Sequence, residues 1–119
     1  MIDLKYRSYQ FALATIKYLN NQKLQYTARP LIDQLIRSAS SVGANVVEGR
    51  SGSSKKDLAR FYNIALKSAN ESKYWYCILR DAFGMNETKT NELIKEADEI
   101  SKILAASILT LQRQIKSEK

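Results

Sequence analysis

Apolar residues recur every three or four positions along almost the whole chain, and this period limits the fold more than any other feature of the sequence. Three interruptions divide the pattern into four amphipathic segments. Because the connections are short, neighbouring helices are expected to be antiparallel. We therefore predict an all-α fold, an antiparallel up-down-up-down four-helix bundle that forms one domain over residues 1–119. The predicted helices cover about residues 2–22, 30–48, 54–83 and 87–116.

Residues that start or stop helices lie at the predicted boundaries. Gly49 is expected to end helix 2 in a left-handed conformation, because glycine adopts this conformation at little cost. Ser54 and Asp57 resemble a capping box at the start of helix 3, with aspartate in place of the usual glutamate. Gly84 is expected to end helix 3, and Asn86 is expected to cap helix 4.

Helices 1 and 3 carry more apolar residues than one core requires. In helix 1 the predicted core stripe is Ile2, Tyr6, Tyr9, Leu13 and Ile16, and the surplus stripe is Leu4, Phe11 and Tyr18. In helix 3 the predicted core side carries Phe61 and Trp75, and the surplus residues are Tyr62, Leu66, Ala69 and Cys77. Scattered exposed apolar residues are common on monomers, which is one interpretation. Contiguous apolar patches usually mark interfaces, so we expect self-association.

The chain contains no histidine and a single cysteine, Cys77, which excludes an intrachain disulfide and a cysteine-cluster metal site. The absence of histidine removes the commonest general base and metal ligand, together with Ser–His and Cys–His nucleophile pairs. Carboxylate-only chemistry is the remaining alternative, but Glu92, Glu96 and Glu99 have the spacing of solvated helix positions beside lysines. We expect no enzyme activity, no cofactor and no metal site.

The sequence has no feature of a membrane or secreted protein. Its first ten residues carry charges among the apolar ones and lack the apolar core of a signal peptide. No segment approaches the roughly 18 consecutive apolar residues that a membrane-spanning helix needs. We expect a cytoplasmic protein that does not bind membranes.

Basic residues exceed acidic residues by 19 to 12, and the net charge of +7 favours polyanionic partners. Helix 3 has one basic flank with Lys56, Arg60, Lys67 and Tyr74 and another with Lys55, Lys73 and Arg80, and Arg50 precedes both. These seven cations are the candidate nucleic-acid-binding residues, and Lys5, Arg7 and Lys17 of helix 1 add to the charge. No tyrosine stands out as a base-stacking platform, so we expect electrostatic contacts with phosphates. The alternative is a basic helix face that is only solvated.

The segment from Arg37 to Gly49 carries a distinctive pattern, RSASSVGANVVEG. It resembles the signature of small bacterial four-helix-bundle proteins first noticed in intervening sequences of 23S ribosomal RNA genes. Val47 replaces a more usual alanine. The resemblance covers residues 5–115 and continues through Ser54, Asp57, Phe61, Ile64, Ala65, Ser68, Glu71, Trp75 and Gly84.

This resemblance implies more than a fold. The family includes accessory proteins of diversity-generating reverse transcriptases, which bind nucleic acid and the polymerase and assemble as five-membered rings. The resemblance therefore implies a homo-oligomer, with a pentamer as the expected size. Its candidate partners are RNA or DNA and a reverse transcriptase or another nucleic-acid enzyme.

The polar residues of the Arg37 to Gly49 motif share one face of helix 2, which alone indicates a solvated face. The resemblance favours contacts between subunits or helices instead. The candidate interface residues are Arg37, Ser41, Asn45, Glu48, Gly49 and Glu71. The predicted function is a non-enzymatic homo-oligomer that binds nucleic acid, and the alternative is a structural or adaptor oligomer that binds a partner protein without contacting nucleic acid.

Overall fold

The computed structural model describes residues 3–118, and these residues form four long α helices. The helices are α1 (Leu4–Asn20), α2 (Arg29–Ser51), α3 (Lys55–Phe83) and α4 (Glu87–Ser117), and a 3-10 turn at Tyr26–Ala28 precedes α2. No strand occurs in this part of the chain. The predicted all-α four-helix bundle is confirmed. Ile2, a member of the predicted helix 1 stripe, lies outside the described residues.

Side-chain pairs between helices show the antiparallel arrangement directly. The hydroxyl groups of Ser38 and Ser72 are 2.9 Å apart, and Ser68 donates a hydrogen bond of 2.9 Å to Ser41, so α2 and α3 run in opposite directions. The bundle is elongated, with extents of 54 × 22 × 21 Å. α1 and α3 each pack against both α2 and α4, which places the α1–α2 face of the bundle across from the α3–α4 face.

Three of the predicted helix boundaries are confirmed. Ser54 Oγ accepts a 3.0 Å hydrogen bond from the backbone N–H of Asp57, and Asn86 Oδ1 accepts one of 2.8 Å from the N–H of Lys89. These bonds satisfy N–H groups that have no partner within the first turn of a helix. Gly84 ends α3 in the left-handed conformation, with φ of +70°.

The predicted role of Gly49 is wrong, because α2 continues to Ser51 and the glycine is buried inside the helix. A Cβ atom at this position would lie 3.1 Å from both Leu58 Cδ1 and Phe61 Cβ of α3. Gly49 therefore allows the close approach of α2 and α3. Arg50, predicted to be in a loop, belongs to the last turn of α2.

The predicted faces of α1 are reversed. Its buried residues are Leu4, Ser8, Phe11, Thr15 and Leu19, whereas Tyr6 and Tyr9 are 59% and 58% exposed. The apolar pattern predicted the wrong face because two of the buried residues are polar and because the exposed side of the helix is strongly apolar. One of the two, Thr15, accepts a 2.7 Å hydrogen bond from the hydroxyl of Tyr76, which satisfies both groups inside the core.

The surplus predicted for helix 3 is largely part of the core. Tyr62 and Ala69 are buried, Leu66 packs against the core and Cys77 is half-buried. Of the two residues predicted to lie on the core side, Trp75 is half-buried and packs against the core, and Phe61 is half-buried. The buried arc of α3 is wide because this helix packs against both α2 and α4. A surplus apolar face exists on α1, on the side opposite to the one predicted.

Candidate nucleic-acid interface

Three cations on α3 form an exposed strip, which we call the basic flank: Lys56, Arg60 and Lys67. Their spacing of four and seven residues places them on one side of the helix. They line a shallow depression of about 530 Å³ together with Asn63, Ile64 and, from α4, Ile115. The basic flank therefore lies on the α3–α4 side of the bundle.

The charges of the basic flank are little compensated. Within residues 3–118, neither Lys56 nor Lys67 has a carboxylate within 4.0 Å. Arg60 approaches Asp57 of the preceding turn at 3.6 Å, but its side chain is 62% exposed. Its guanidinium lies over the Phe61 ring, 4.4 Å from the centroid, and this cation–π contact holds the arginine beside the helix without neutralising its positive charge.

The other three candidates on α3, which we call the paired flank, are held by acceptors within the bundle. Lys55 pairs with Glu118, and Lys73 Nζ lies 3.0 Å from Asp98 Oδ1. The hydrogen bond from Lys73, with a second from Lys102, lowers the pKa of the Asp98 carboxyl. Arg80 contacts Asp81 at 2.7 Å and donates a 2.7 Å hydrogen bond to Asn91 Oδ1. The contacts with Glu118, Asp98 and Asn91 tie α3 to α4, and the carboxylate partners reduce the positive charge available to a polyanion.

Arg50 and Arg7, the arginines predicted to extend the basic surface, are also engaged. Arg50 donates to Asp3 at 2.8 Å and to the Tyr62 hydroxyl at 3.1 Å, and the bond to Arg50 lowers the pKa of Asp3. Arg7 reaches Glu96 of α4 at 2.7 Å and also pairs with Glu99. Lys5 and Lys17 are exposed without such pairing among the described residues.

The residues of the Arg37 to Gly49 motif separate into two groups. Asn45 Nδ2 donates to Ser41 at both the carbonyl oxygen (2.8 Å) and Oγ (2.9 Å), and Ser41 also bonds to Ser68, so this group joins α2 to α3. Gly49 belongs to the same contact. Arg37 and Glu48 form the second group: both are exposed, and neither side chain has an ion pair or hydrogen bond within residues 3–118.

Glu71, the remaining interface candidate, lies on α3 one turn after Lys67, on the same side of the helix as the basic flank. It is exposed, and its Oε2 accepts a 3.0 Å hydrogen bond from the indole N–H of Trp75. Tyr74, predicted to lie beside the basic flank, is 60% exposed and meets Trp75 edge to face, with 5.2 Å between the ring centroids. Whether Glu71 takes part in an interface stays a prediction.

A second surface, the α1–α2 groove, was missed as a surface at the sequence level. It has a volume of about 820 Å³. Its main apolar lining residues are Tyr6, Tyr9, Leu13, Ile16, Ala44 and Val47. The first four of these residues recur with a helical period in the sequence, but the sequence analysis assigned them to the core.

No group of three or more acidic or cysteine side chains within residues 3–118 has the arrangement of a metal site. In the same range, no helix is both long and apolar enough to cross a membrane.

Comparison with known proteins places the chain in a family. The profile of the 23S rRNA-intervening sequence proteins matches residues 2–106. The chain belongs to this family. Among solved structures, this member of the 23S rRNA-intervening sequence protein family is similar to a Bacteroides thetaiotaomicron protein of unknown function from the S23 ribosomal protein family. The two chains share 32% identity with a TM-score of 0.78, over 89% of this chain and 98% of that one. No curated protein matches it.

The family motif can now be interpreted on the structure of this 23S rRNA-intervening sequence protein. Its small and amide residues, Ser41, Asn45 and Gly49, fix how closely α2 packs on α3. Its charged residues, Arg37 and Glu48, are exposed and make no ion pair or side-chain hydrogen bond within residues 3–118. The first group has a structural role within the chain, and the second group is available to another molecule.

Proposed function

We propose that this protein is a non-enzymatic homo-oligomer that binds RNA or DNA electrostatically through the basic flank. The observation that carries the proposal is the difference between the two sides of α3. Lys55, Lys73 and Arg80 are neutralised by neighbouring side chains, whereas the basic flank is exposed with little compensation. A surface on which cations stay unpaired favours a polyanionic partner.

The expected chemistry is the neutralisation of phosphates. Lys56 and Lys67 are eleven residues apart, which corresponds to about 16 Å along the helix at a rise of 1.5 Å per residue. A strip of this length lies along several successive phosphates of a nucleic acid strand. Each lysine or arginine that neutralises a phosphate releases a counterion, so affinity falls as salt rises and depends little on base sequence.

The test is a salt titration of binding to single-stranded RNA and DNA by the wild-type protein and by the triple variant Lys56→Glu, Arg60→Glu, Lys67→Glu. We expect the variant to lose most of its affinity at low salt. We also expect the slope of log affinity against log salt to become shallower by up to about 2, or roughly 0.7 for each lost contact with a single strand.

A matched control separates this site from net charge. The variant Lys23→Glu, Arg29→Glu, Lys95→Glu makes the same change in total charge at two other exposed lysines and one exposed arginine. We expect it to retain most of the binding. Equal losses in the two triple variants, or no binding of either nucleic acid by the wild-type protein, would contradict the proposal.

A second function, that of an adaptor oligomer, is favoured by the α1–α2 groove. An apolar groove of about 820 Å³ with exposed tyrosines is suited to protein contact and not to phosphates. In this case the partner is a protein, such as a reverse transcriptase or another nucleic-acid enzyme, and the basic flank is only solvated. The salt titration distinguishes the two functions, because an adaptor of this kind binds no nucleic acid by itself.

A further inference from the structure

Tyr74 lies in line with the basic flank on the exposed side of α3. It follows Lys56 by eighteen residues, which is about five full turns at 3.6 residues per turn, and it follows Lys67 by seven. At a rise of 1.5 Å per residue, Tyr74 is therefore about 10 Å beyond Lys67 along the helix. The other tyrosines lie in the core, in the α1–α2 groove or before α2, away from this line.

The ring of Tyr74 is both exposed and restricted in orientation. Its residue is 60% exposed, and Trp75 meets it edge to face with 5.2 Å between the ring centroids. The indole of Trp75 packs against the core and donates a 3.0 Å hydrogen bond to Glu71 Oε2. Because Trp75 can cover at most one face of the Tyr74 ring, the other face is not covered by it. The sequence did not single out this tyrosine, because its exposure depends on how α3 packs.

The charges on this side of α3 change sign beyond the basic flank. The acids here are Glu71, one turn before Tyr74, and Asp81, two turns after it. Both carboxylates have partners, since Glu71 accepts from Trp75 and Asp81 pairs with Arg80 at 2.7 Å. Carboxylates repel a phosphate but not an uncharged ring. This end of the strip is therefore suited to a base, whereas the basic flank is suited to phosphates.

We propose that Tyr74 stacks on an unpaired base of a single-stranded nucleic acid whose phosphates lie along the basic flank. An aromatic side chain beside a positively charged strip is a common arrangement for binding single strands, because every base has a π face. In a duplex the base faces are covered by neighbouring base pairs, so Tyr74 contributes nothing there. This inference rests on the proposed function and narrows its substrate class to single-stranded RNA or DNA.

The first test compares wild type and Tyr74→Ala on a single strand of about 15 nucleotides and on a duplex of the same sequence, by fluorescence anisotropy at low salt. We expect Tyr74→Ala to bind the single strand about 10-fold more weakly, because one base–aromatic stack is lost, and to bind the duplex as wild type does. Its slope of log affinity against log salt is expected to stay unchanged, since no phosphate contact is removed.

Two further variants separate stacking from other effects. Tyr74→Phe keeps the aromatic ring and is expected to bind the single strand as wild type does. Tyr26→Ala is the matched control, because Tyr26 is 86% exposed but lies in the turn before α2 and not on α3. This control is expected to keep the wild-type affinity for both nucleic acids. Circular dichroism establishes that all three variants are folded.

The second test uses the intrinsic fluorescence of Trp75, which is the single tryptophan of the chain. Saturation with the single strand is expected to change this fluorescence, because the stacked base lies on the ring that Trp75 contacts. A strand of the same length without bases offers only its phosphates. We expect wild type and Tyr74→Ala to bind this abasic strand with equal affinity, and its saturation to leave the Trp75 fluorescence of wild type nearly unchanged.

The outcomes distinguish this inference from the proposed function. If Tyr74→Ala binds the single strand as tightly as wild type, or loses the same factor on the duplex or on the abasic strand, Tyr74 does not stack on a base. The proposed function still stands in that case, provided that the triple variant of the basic flank loses binding. If the wild-type protein binds no nucleic acid, both are wrong.

Discussion

Two glycines in α2 differ in what surrounds them. At Gly49 an added Cβ atom would lie 3.1 Å from Phe61 Cβ, close to the backbone of α3. At Gly43 the nearest atom to an added Cβ is Ser8 Cβ of α1, at 3.4 Å, which is an ordinary contact distance. Both residues lie inside the helix. A methyl group at Gly49 therefore forces α2 and α3 apart, whereas one at Gly43 does not force α1 to move.

We predict opposite effects of alanine at the two positions. Gly49→Ala is expected to lower the free energy of unfolding by about 1–3 kcal/mol, because overpacking outweighs the gain in helix propensity. Gly43→Ala is expected to be neutral or to raise it by up to about 1 kcal/mol, since alanine is the better helix former. Urea denaturation followed by circular dichroism measures both. A Gly49→Ala protein as stable as Gly43→Ala would show that the α2–α3 distance is not fixed by this glycine.

At the scale of single residues, the sequence identified the important positions, but it predicted their roles less well. The sequence singled out Gly49, but a glycine near the end of an amphipathic segment is equally consistent with the end of a helix and with close packing between two helices. Thr15 and Ser8 were not recognised as core residues because polar side chains break an apolar pattern. Thr15 is satisfied by Tyr76 from α3, a partner 61 residues away in the sequence that periodicity does not reveal. Ser8 Oγ has no hydrogen-bond partner within residues 3–118.

At the scale of elements, α3 and α4 are joined by a row of polar contacts. Lys73 bonds to Asp98 at 3.0 Å, and Lys102, one turn further along α4, reaches the other oxygen of the same carboxylate at 3.2 Å. Asp98 thus accepts from both helices. Because both bonds favour the ionised form, the pKa of Asp98 lies below its ordinary value of 3.8.

The lowered pKa of Asp98 predicts how stability depends on pH. Between the lower folded pKa and the higher unfolded pKa, the unfolded chain binds more protons, so this contribution is present above about pH 4 and is lost as the pH falls through the folded pKa. Asp98→Asn removes it. We expect a lower melting temperature than wild type near pH 7, with a difference that shrinks towards about pH 2. A difference that is constant with pH would mean that the ionised carboxylate is not the stabilising group.

The sequence predicted the elements well and their mutual register poorly. Periodicity, Ser54, Gly84 and Asn86 give the helices and most of their ends because these signals act within a few residues. The division of the α3 cations into a basic flank and a paired flank depends on which acids of α4 lie opposite. Asp98 and Glu118 neutralise Lys73 and Lys55 only because of the α3–α4 register. Neither the side of α1 that is buried nor this register is encoded in any single helix.

At the scale of the whole molecule, the two proposed surfaces face different directions. The groove lies between α1 and α2, and the basic flank lies on the α3–α4 side with Ile115 beside it. α1 and α3 do not share a face, because each packs between α2 and α4. Any protein that binds in the groove, whether a second copy or a different partner, therefore leaves the basic flank exposed. Self-association and nucleic-acid binding then act without competing for the same residues.

Because the groove and the basic flank are separate surfaces, we predict that oligomerisation changes the affinity for long nucleic-acid strands only. Ala44→Glu places a carboxylate in the apolar groove and is expected to disrupt an oligomer that forms through it. On an oligonucleotide of about 10 nucleotides, within the range that one binding module covers, this variant and wild type should bind with equal affinity per subunit, because one basic flank is used. On a strand several times longer, the wild-type oligomer should bind at least about 10²-fold more tightly, because a second flank binds at a high effective concentration. Fluorescence anisotropy with both lengths measures this. Ala106→Glu, at an exposed alanine of α4 away from the groove, is the control that is expected to stay oligomeric. Weaker binding of Ala44→Glu to the short strand would mean that the groove itself contacts nucleic acid, and equal binding to the long strand would mean that neighbouring flanks do not reach one strand together.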